Sequence, residues 1–155
     1  MADVLVIGYG NPLRGDDGVG PVIAEELARN MCALDPKVKV VACHQLNPEM
    51  AEAVADTRAV IFVDASVELK PGDVRISTVQ PDQFAPAAFT HSMKPSALLA
   101  TASELFGQAP RAQKVAIGAA SFDIGMALTP EVRAAVSKAT KLIQTEIHRY
   151  LKTNA

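Results

Sequence analysis

The sequence lacks the features expected of proteins that bind nucleic acids or cross membranes. Fifteen Lys and Arg residues stand against seventeen Asp and Glu, and no basic block or alternation of basic and aromatic residues could follow a phosphate backbone. The longest apolar runs, such as Ala59–Val63, are far shorter than the roughly 20 residues of a membrane-spanning helix. We therefore expect neither a nucleic-acid partner nor a membrane-embedded protein.

Cysteine and targeting signals are also scarce. The two cysteines, Cys32 and Cys43, lack the spacing of a metal site, and the opening Met-Ala-Asp has none of the charged and apolar segments of a signal peptide. We expect a cytoplasmic protein in which neither cysteine has a special role.

The usual hydrolase motifs are missing as well. The chain has no His-Glu-x-x-His zinc motif, no Gly-x-Ser-x-Gly nucleophile elbow and no convincing Cys-His pair. The ordinary metallo-, serine and cysteine hydrolase classes are therefore disfavoured.

What the chain does have is the composition of one globular domain. Its 155 residues are 49% hydrophobic and 21% charged, without internal repeats or low-complexity segments. We predict a single domain over residues 1–155.

Alternating strand and helix patterns predict an α/β fold. Val4–Gly8 is a continuous apolar run typical of a buried parallel strand, and the apolar residues after the following glycine turn repeat at a helical spacing of four. The expected fold is a three-layer sandwich, with a mostly parallel twisted sheet of about five strands and helices on both faces. Further strands are predicted over Val38–Cys43, Ala59–Val63, Val74–Val79 and Lys114–Ala119, and helices over Pro48–Ala55, Pro95–Leu105 and Pro130–Leu151. The alternating Val74–Val79 is expected at an edge, as a candidate antiparallel strand.

The first turn is the most informative local feature. Gly8-Tyr9-Gly10 after a buried strand suggests a nucleotide-binding turn, but Leu13 occupies the place of the third glycine of that motif. Asp16 and Asp17 would repel a phosphate, so the turn suits a cation better. Each aspartate alone is more simply interpreted as a helix cap.

Acidic residues near the ends of two predicted strands together favour a metal site. Asp17 and Asp64 fall at the carboxyl ends of two strands expected to be neighbours, where open α/β sheets bind ligands. The loop Gln80–Thr90 would bring His91 to the same rim, which gives two carboxylates and one imidazole for a divalent ion such as zinc or nickel. The simpler alternative for Asp64 is a polar residue that closes a strand. The simpler alternative for His91 is a loop histidine that is hydrogen-bonded and not bound to a metal. His44 is a further rim candidate, and His148 is interpreted as a solvated charge near a helix end.

The segment Gly8-Tyr9-Gly10-Asn11-Pro12-Leu13-Arg14-Gly15-Asp16-Asp17-Gly18-Val19-Gly20 closely resembles the opening signature of the [NiFe]-hydrogenase maturation endopeptidases. Further segments similar to that family extend over most of the chain. They are Gln45–Glu49, Val60–Ala65, His91–Pro95 and Phe122–Pro130.

The resemblance implies a protease that removes a C-terminal peptide from a [NiFe]-hydrogenase large-subunit precursor after nickel insertion. It carries the family's metal-contacting set onto Asp17, Asp64 and His91, the three residues selected above, as both catalytic and metal-contacting residues. The implied metal is nickel supplied by the substrate, with another divalent ion in the isolated protein as the alternative. The enzyme would be an aspartyl-type or metal-dependent endopeptidase, and we expect it to be monomeric.

Our working hypothesis is that these three residues engage nickel held by the substrate, and that a carboxylate acts as the base. Asp16 is expected to support the turn through hydrogen bonds to its backbone. The alternatives are a metal-checking chaperone that does not cut its nickel-loaded partner, a nucleotide-binding protein, and a peptidase with an unrelated protein substrate.

Overall fold

A five-stranded sheet forms the centre of the protein. The computed structural model describes residues 2–32, 35–82 and 93–153. The strand order is β2-β1-β3-β5-β4, and four of the strands are parallel. The strands are β1 Val4–Tyr9, β2 Val38–Cys43, β3 Ala59–Ser66, β4 Val74–Thr78 and β5 Arg111–Gly118.

Strand β1 lies between β2 and β3, and all six of its residues are buried. The predicted adjacency of the first and third strands is therefore confirmed. β4 pairs with β5 in the antiparallel direction at one edge of the sheet, with Val74 opposite Ile117, as the alternating pattern suggested.

Helices cover both faces of the sheet, which confirms the predicted three-layer fold. On one face the core contains Val4, Val6 and Ile61 of the sheet with residues of α1 and α4. On the other face, Leu5 and Phe62 pack with residues of α2 and α3. The helices are α1 Val19–Leu27, α2 Ala51–Ala55, α3 Pro95–Phe106 and α4 Pro130–Thr153, and short 3-10 turns at Gly15–Gly18 and Pro48–Met50 precede α1 and α2.

Three boundaries differ clearly from the predicted ones, and several others differ by one or two residues. β3 continues past Asp64 to Ser66, because these last residues still pair with β5. β5 begins three residues early, at Arg111, since its first residues pair with β3 and, from Gln113 on, also with β4. The first helix changes to a π-helical turn at Ala28–Cys32.

None of the helices in the described part of the chain is both long and apolar enough to cross a membrane.

Glycine allows α1 to lie directly against the sheet. A Cβ atom added at Gly20 would lie 2.6 Å from the carbonyl oxygens of Tyr9 and Val63, closer than van der Waals contact allows.

We expect Gly20→Ala to lower the free energy of unfolding by about 2 kcal/mol, because the helix must move away from β1 and β3. Urea unfolding would measure the change. Glu25→Ala on the exposed side of α1 is the control and should change stability by less than about 0.5 kcal/mol. Equal effects of the two substitutions would contradict the steric explanation.

Candidate active site

The turn after β1 presents two adjacent aspartates at the carboxyl end of the sheet. Gly18, not an aspartate, is the N-cap of α1, and no side chain caps that helix. The capping interpretation is therefore wrong for both residues. Asp17 instead accepts a hydrogen bond from the backbone N–H of Asn11 through Oδ2, at 2.7 Å. This bond closes the turn. Asp17 remains partly exposed.

Asp16 is fully buried and holds two distant parts of the chain together. Its Oδ2 accepts hydrogen bonds from the N–H groups of Ala120 and Ser121, at 2.8 and 3.0 Å. Both its oxygens also accept bonds from Thr129, including one from the backbone N–H at 2.7 Å. Burial raises the pKa of Asp16, but these hydrogen bonds together outweigh burial and lower the pKa below its ordinary value. Asp16 thus has the predicted supporting role, although its partners lie before α4 and not in its own turn.

Asp64 lies near the end of β3 with a tyrosine and a lysine as neighbours. The hydroxyl of Tyr9 donates a hydrogen bond to its carboxylate, and Nζ of Lys114 is 3.8 Å from its Oδ2. The side chain of Asp64 is 22% exposed. Burial raises the pKa of Asp64 to about 6, against the opposing effects of Lys114 and Tyr9.

Asp17 and Asp64 belong to one electrostatic environment. The negative charge of Asp17 adds to the increase in the pKa of Asp64, and both carboxylates also raise the pKa of Tyr9, for which burial is the larger cause. The structure therefore brings together the two predicted carboxylates at the rim of the sheet.

An open cleft lies beside Asp64, on the sheet face that α2 and α3 cover. Tyr9 belongs to the core on that face, and Asp64 points to the same side as Phe62 because alternate residues of a strand share a face. The start of α3 forms the opposite wall of the cleft. The lining includes Tyr9, Asp64, Glu68, Met93, Lys94 and Lys114.

Within the described residues, no histidine joins this pair of carboxylates. His91 lies outside the described part of the chain, although Met93 at the wall of the cleft is only two residues away. His44 follows β2 and is exposed, and His148 is exposed on α4. Within residues 2–32, 35–82 and 93–153, no three His, Cys, Asp or Glu side chains lie close enough to hold a metal ion.

The carboxylate pair is chemically suited to a divalent cation that brings other ligands with it. Two carboxylates attract such an ion, but the ammonium group of Lys114 already pairs with Asp64 and must be displaced or shared when a cation binds. A free ion therefore competes with Lys114 for this carboxylate.

Sequence reasoning did not identify Tyr9 and Lys114. The strand register could have found both of them. Gly8 pairs with Val63, so Tyr9 comes next to Asp64, and Asp64 pairs with Ala116, two residues from Lys114 on the same face.

Comparison with known proteins supports a relationship over most of the chain. No protein-family model matches the sequence. The hydrogenase 3 maturation protease of Escherichia coli strain K12 is 33% identical over 118 residues, which cover 70% of this chain and 69% of that protein.

Solved structures agree with this relationship. The hydrogenase maturating endopeptidase HybD from E. coli superimposes with a TM-score of 0.74 and 25% identity, over 96% of this chain and 93% of that one. The hydrogenase 2 maturation peptidase from Thaumarchaeota archaeon SCGC_AB-539-E09 gives a TM-score of 0.70 and 26% identity, over 94% and 97% of the two chains. From the curated relative, these structures and the carboxylate-bearing turn, we conclude that the chain belongs to the hydrogenase maturation protease family of endopeptidases.

Proposed function

We propose that this protein removes a C-terminal peptide from the large-subunit precursor of a [NiFe]-hydrogenase after nickel has been inserted, and that it recognises the nickel bound to that substrate. Membership of the maturation protease family supports the reaction class and the kind of substrate. The observation that carries the nickel-dependent part is that the charge of Asp17 acts on Asp64, whose side chain is 22% exposed at the end of β3.

The electrostatics of the site favour a metal ion delivered by the substrate. Lys114 lies 3.8 Å from Asp64 and opposes the binding of a free cation. Nickel held by a docked protein brings its own ligands and the binding free energy of that protein, so it can compete with the lysine. In this proposal Asp17, Asp64 and His91 contact the nickel.

The chain's own groups can also serve peptide hydrolysis. In the metal-free protein, burial keeps the Asp64 carboxylate more basic than an ordinary aspartate, with a pKa of about 6. When the substrate's nickel is bound, the carboxylate oxygen that does not contact the metal would accept a proton from the attacking water. The hydroxyl of Tyr9 holds this carboxylate in place through its hydrogen bond. The substrate's nickel would polarise the scissile carbonyl group or the water.

Parallel incubations of the protein with nickel-loaded and nickel-free precursor test the proposal. We expect the mass of the loaded precursor to fall by that of a C-terminal peptide, with no change in the nickel-free one, because only bound nickel would engage the carboxylates. Intact-mass spectrometry measures both.

Each part of the proposal has its own contrary result. Equal cleavage of both precursors would exclude nickel recognition while leaving the protease. Tight binding of the loaded precursor without a change of mass would instead favour the metal-checking chaperone.

A further inference from the structure

Three large apolar side chains are exposed close to the aspartate turn. Leu13, Ile124 and Met126 are 66%, 81% and 57% exposed, and we call them together the apolar platform. Leu13 lies in the turn itself, four residues before Asp17. Ile124 and Met126 lie in the segment between β5 and α4.

Backbone hydrogen bonds join the two parts of this platform. The N–H of Gly125, between Ile124 and Met126, donates to the carbonyl oxygen of Leu13 at 2.8 Å. A second bond joins the same two segments, from the N–H of Asp16 to the carbonyl oxygen of Ser121 at 2.9 Å. The platform is therefore held at a fixed position relative to the aspartates.

Exposed apolar side chains are not spread evenly over the described residues. Besides the platform, the large exposed apolar side chains there are Val67, Leu105 and Phe106. Val67 directly follows β3, so four of the six lie at the carboxyl rim of the sheet, around Asp17 and Asp64. A concentration of exposed apolar surface beside a catalytic site is typical of a surface that is covered by a partner.

Geometry limits what can cover this surface. A peptide bond in a folded protein can reach Asp17 and Asp64 only if the body of that protein lies over the carboxyl rim, where the apolar platform also lies. A short free peptide has no such body and would leave the platform exposed.

We propose that the apolar platform is the docking surface for the folded body of the protein substrate, next to the C-terminal segment that is cut. The inference rests on the proposed function, since it takes a protein precursor as the occupant. Burial of three apolar side chains under the substrate would contribute binding free energy remote from the scissile bond, which would increase affinity without changing the chemical step.

Replacing the whole platform tests the proposal. We expect the triple variant Leu13→Ser, Ile124→Ser, Met126→Ser to raise KM for the nickel-loaded precursor by roughly tenfold or more and to leave kcat within about twofold. Initial rates over a range of precursor concentrations, followed by intact mass, give both constants. Thermal unfolding should show little change, because all three side chains are exposed in the free protein.

Leu105→Ser is the matched control. Leu105 has the same 66% exposure as Leu13 but lies near the end of α3, close to the amino end of β5 and away from the rim. We expect its KM to equal that of the wild type. An unchanged KM in the triple variant, an effect on kcat alone, or an equal rise in KM for Leu105→Ser would each overturn the inference. A wild-type protein that cleaves no precursor would instead refute the proposed function, and the docking role with it.

Discussion

Replacing Asp64 with asparagine is expected to make the folded protein more stable at neutral pH and to remove most of its activity. The pKa of Asp64 is about 6 in the folded chain and about 4 in an unfolded one, so the folded state binds the proton more tightly. Ionisation of this carboxyl therefore opposes folding, and stability is lost as the pH rises from about 4 to about 6. Asparagine cannot ionise, and its side-chain oxygen can still accept the hydrogen bond from Tyr9.

The expected gain in the free energy of unfolding is about 2 kcal/mol at pH 7.5, discounted for the partial exposure of Asp64 and the loss of its pairing with Lys114. Urea unfolding at pH 7.5 and at pH 4 measures it, and the gain should nearly vanish at pH 4. Asp56→Asn, an exposed aspartate just before β3, is the control and should change little. A variant less stable than wild type at pH 7.5 would show that burial does not control the pKa of this carboxyl group.

Under the proposed function, the same substitution should slow precursor processing by roughly 10³-fold, since asparagine would neither accept a proton nor attract the substrate's nickel as a carboxylate does. Asp17→Asn and His91→Ala are expected to impair processing as well. If processing of the nickel-loaded precursor proceeded at the normal rate in all three variants, the assigned site would be wrong.

Replacement of Asp16 with alanine should have the largest effect on stability. Its buried carboxylate accepts hydrogen bonds from the N–H groups of Ala120, Ser121 and Thr129 and from the Thr129 hydroxyl. Alanine would leave these donors without their acceptor, at an expected cost of about 4 kcal/mol and a fall in Tm of roughly 10 °C. Because the hydrogen bonds hold the pKa of Asp16 below its ordinary value, the difference from wild type should shrink as the pH falls below about 4.

Differential scanning calorimetry at pH 7 measures the loss. Asp123→Asn is the control, because this exposed aspartate lies in the same segment before α4. A Tm for Asp16→Ala within about 2 °C of the control would show that the hydrogen bonds to Asp16 do not hold the segment.

Most of the fold followed from hydrophobic patterns. The continuous apolar run of β1 predicted a central parallel strand, because a strand buried on both faces is apolar throughout. The alternation in β4 predicted an antiparallel edge strand, because a strand buried on one face alternates apolar and polar residues. The amino end of β5 was missed because Arg111 and Gln113 are polar. Arg111 belongs to the sheet through its pairing with β3, and Gln113 through its pairing with β3 and β4. The pairing of strands depends on residues far apart in sequence, and a local pattern does not contain it.

The site was only partly predictable for the same reason. The common location of Asp17 and Asp64 could be predicted because the carboxyl ends of neighbouring parallel strands meet at one rim. The role of Asp16 depends on hydrogen bonds to residues that lie 104 to 113 positions further along the chain. The local sequence around Asp16 and Asp17 does not show which of the two makes these bonds. The two aspartates therefore differ by tertiary contacts alone. Whether His91 completes the set stays a prediction.

The distance along the chain between Asp16 and its partners also has a consequence for biosynthesis. Ribosomes add about 5 to 20 residues per second, so roughly 5 to 20 seconds pass between the synthesis of Asp16 and that of Thr129. In the later part of this interval the nascent chain contains both Asp17 and Asp64, but the segment that holds the turn in place has not been completed. An unfinished chain should therefore be unable to process a precursor, and the enzyme would become active only when its synthesis is nearly complete.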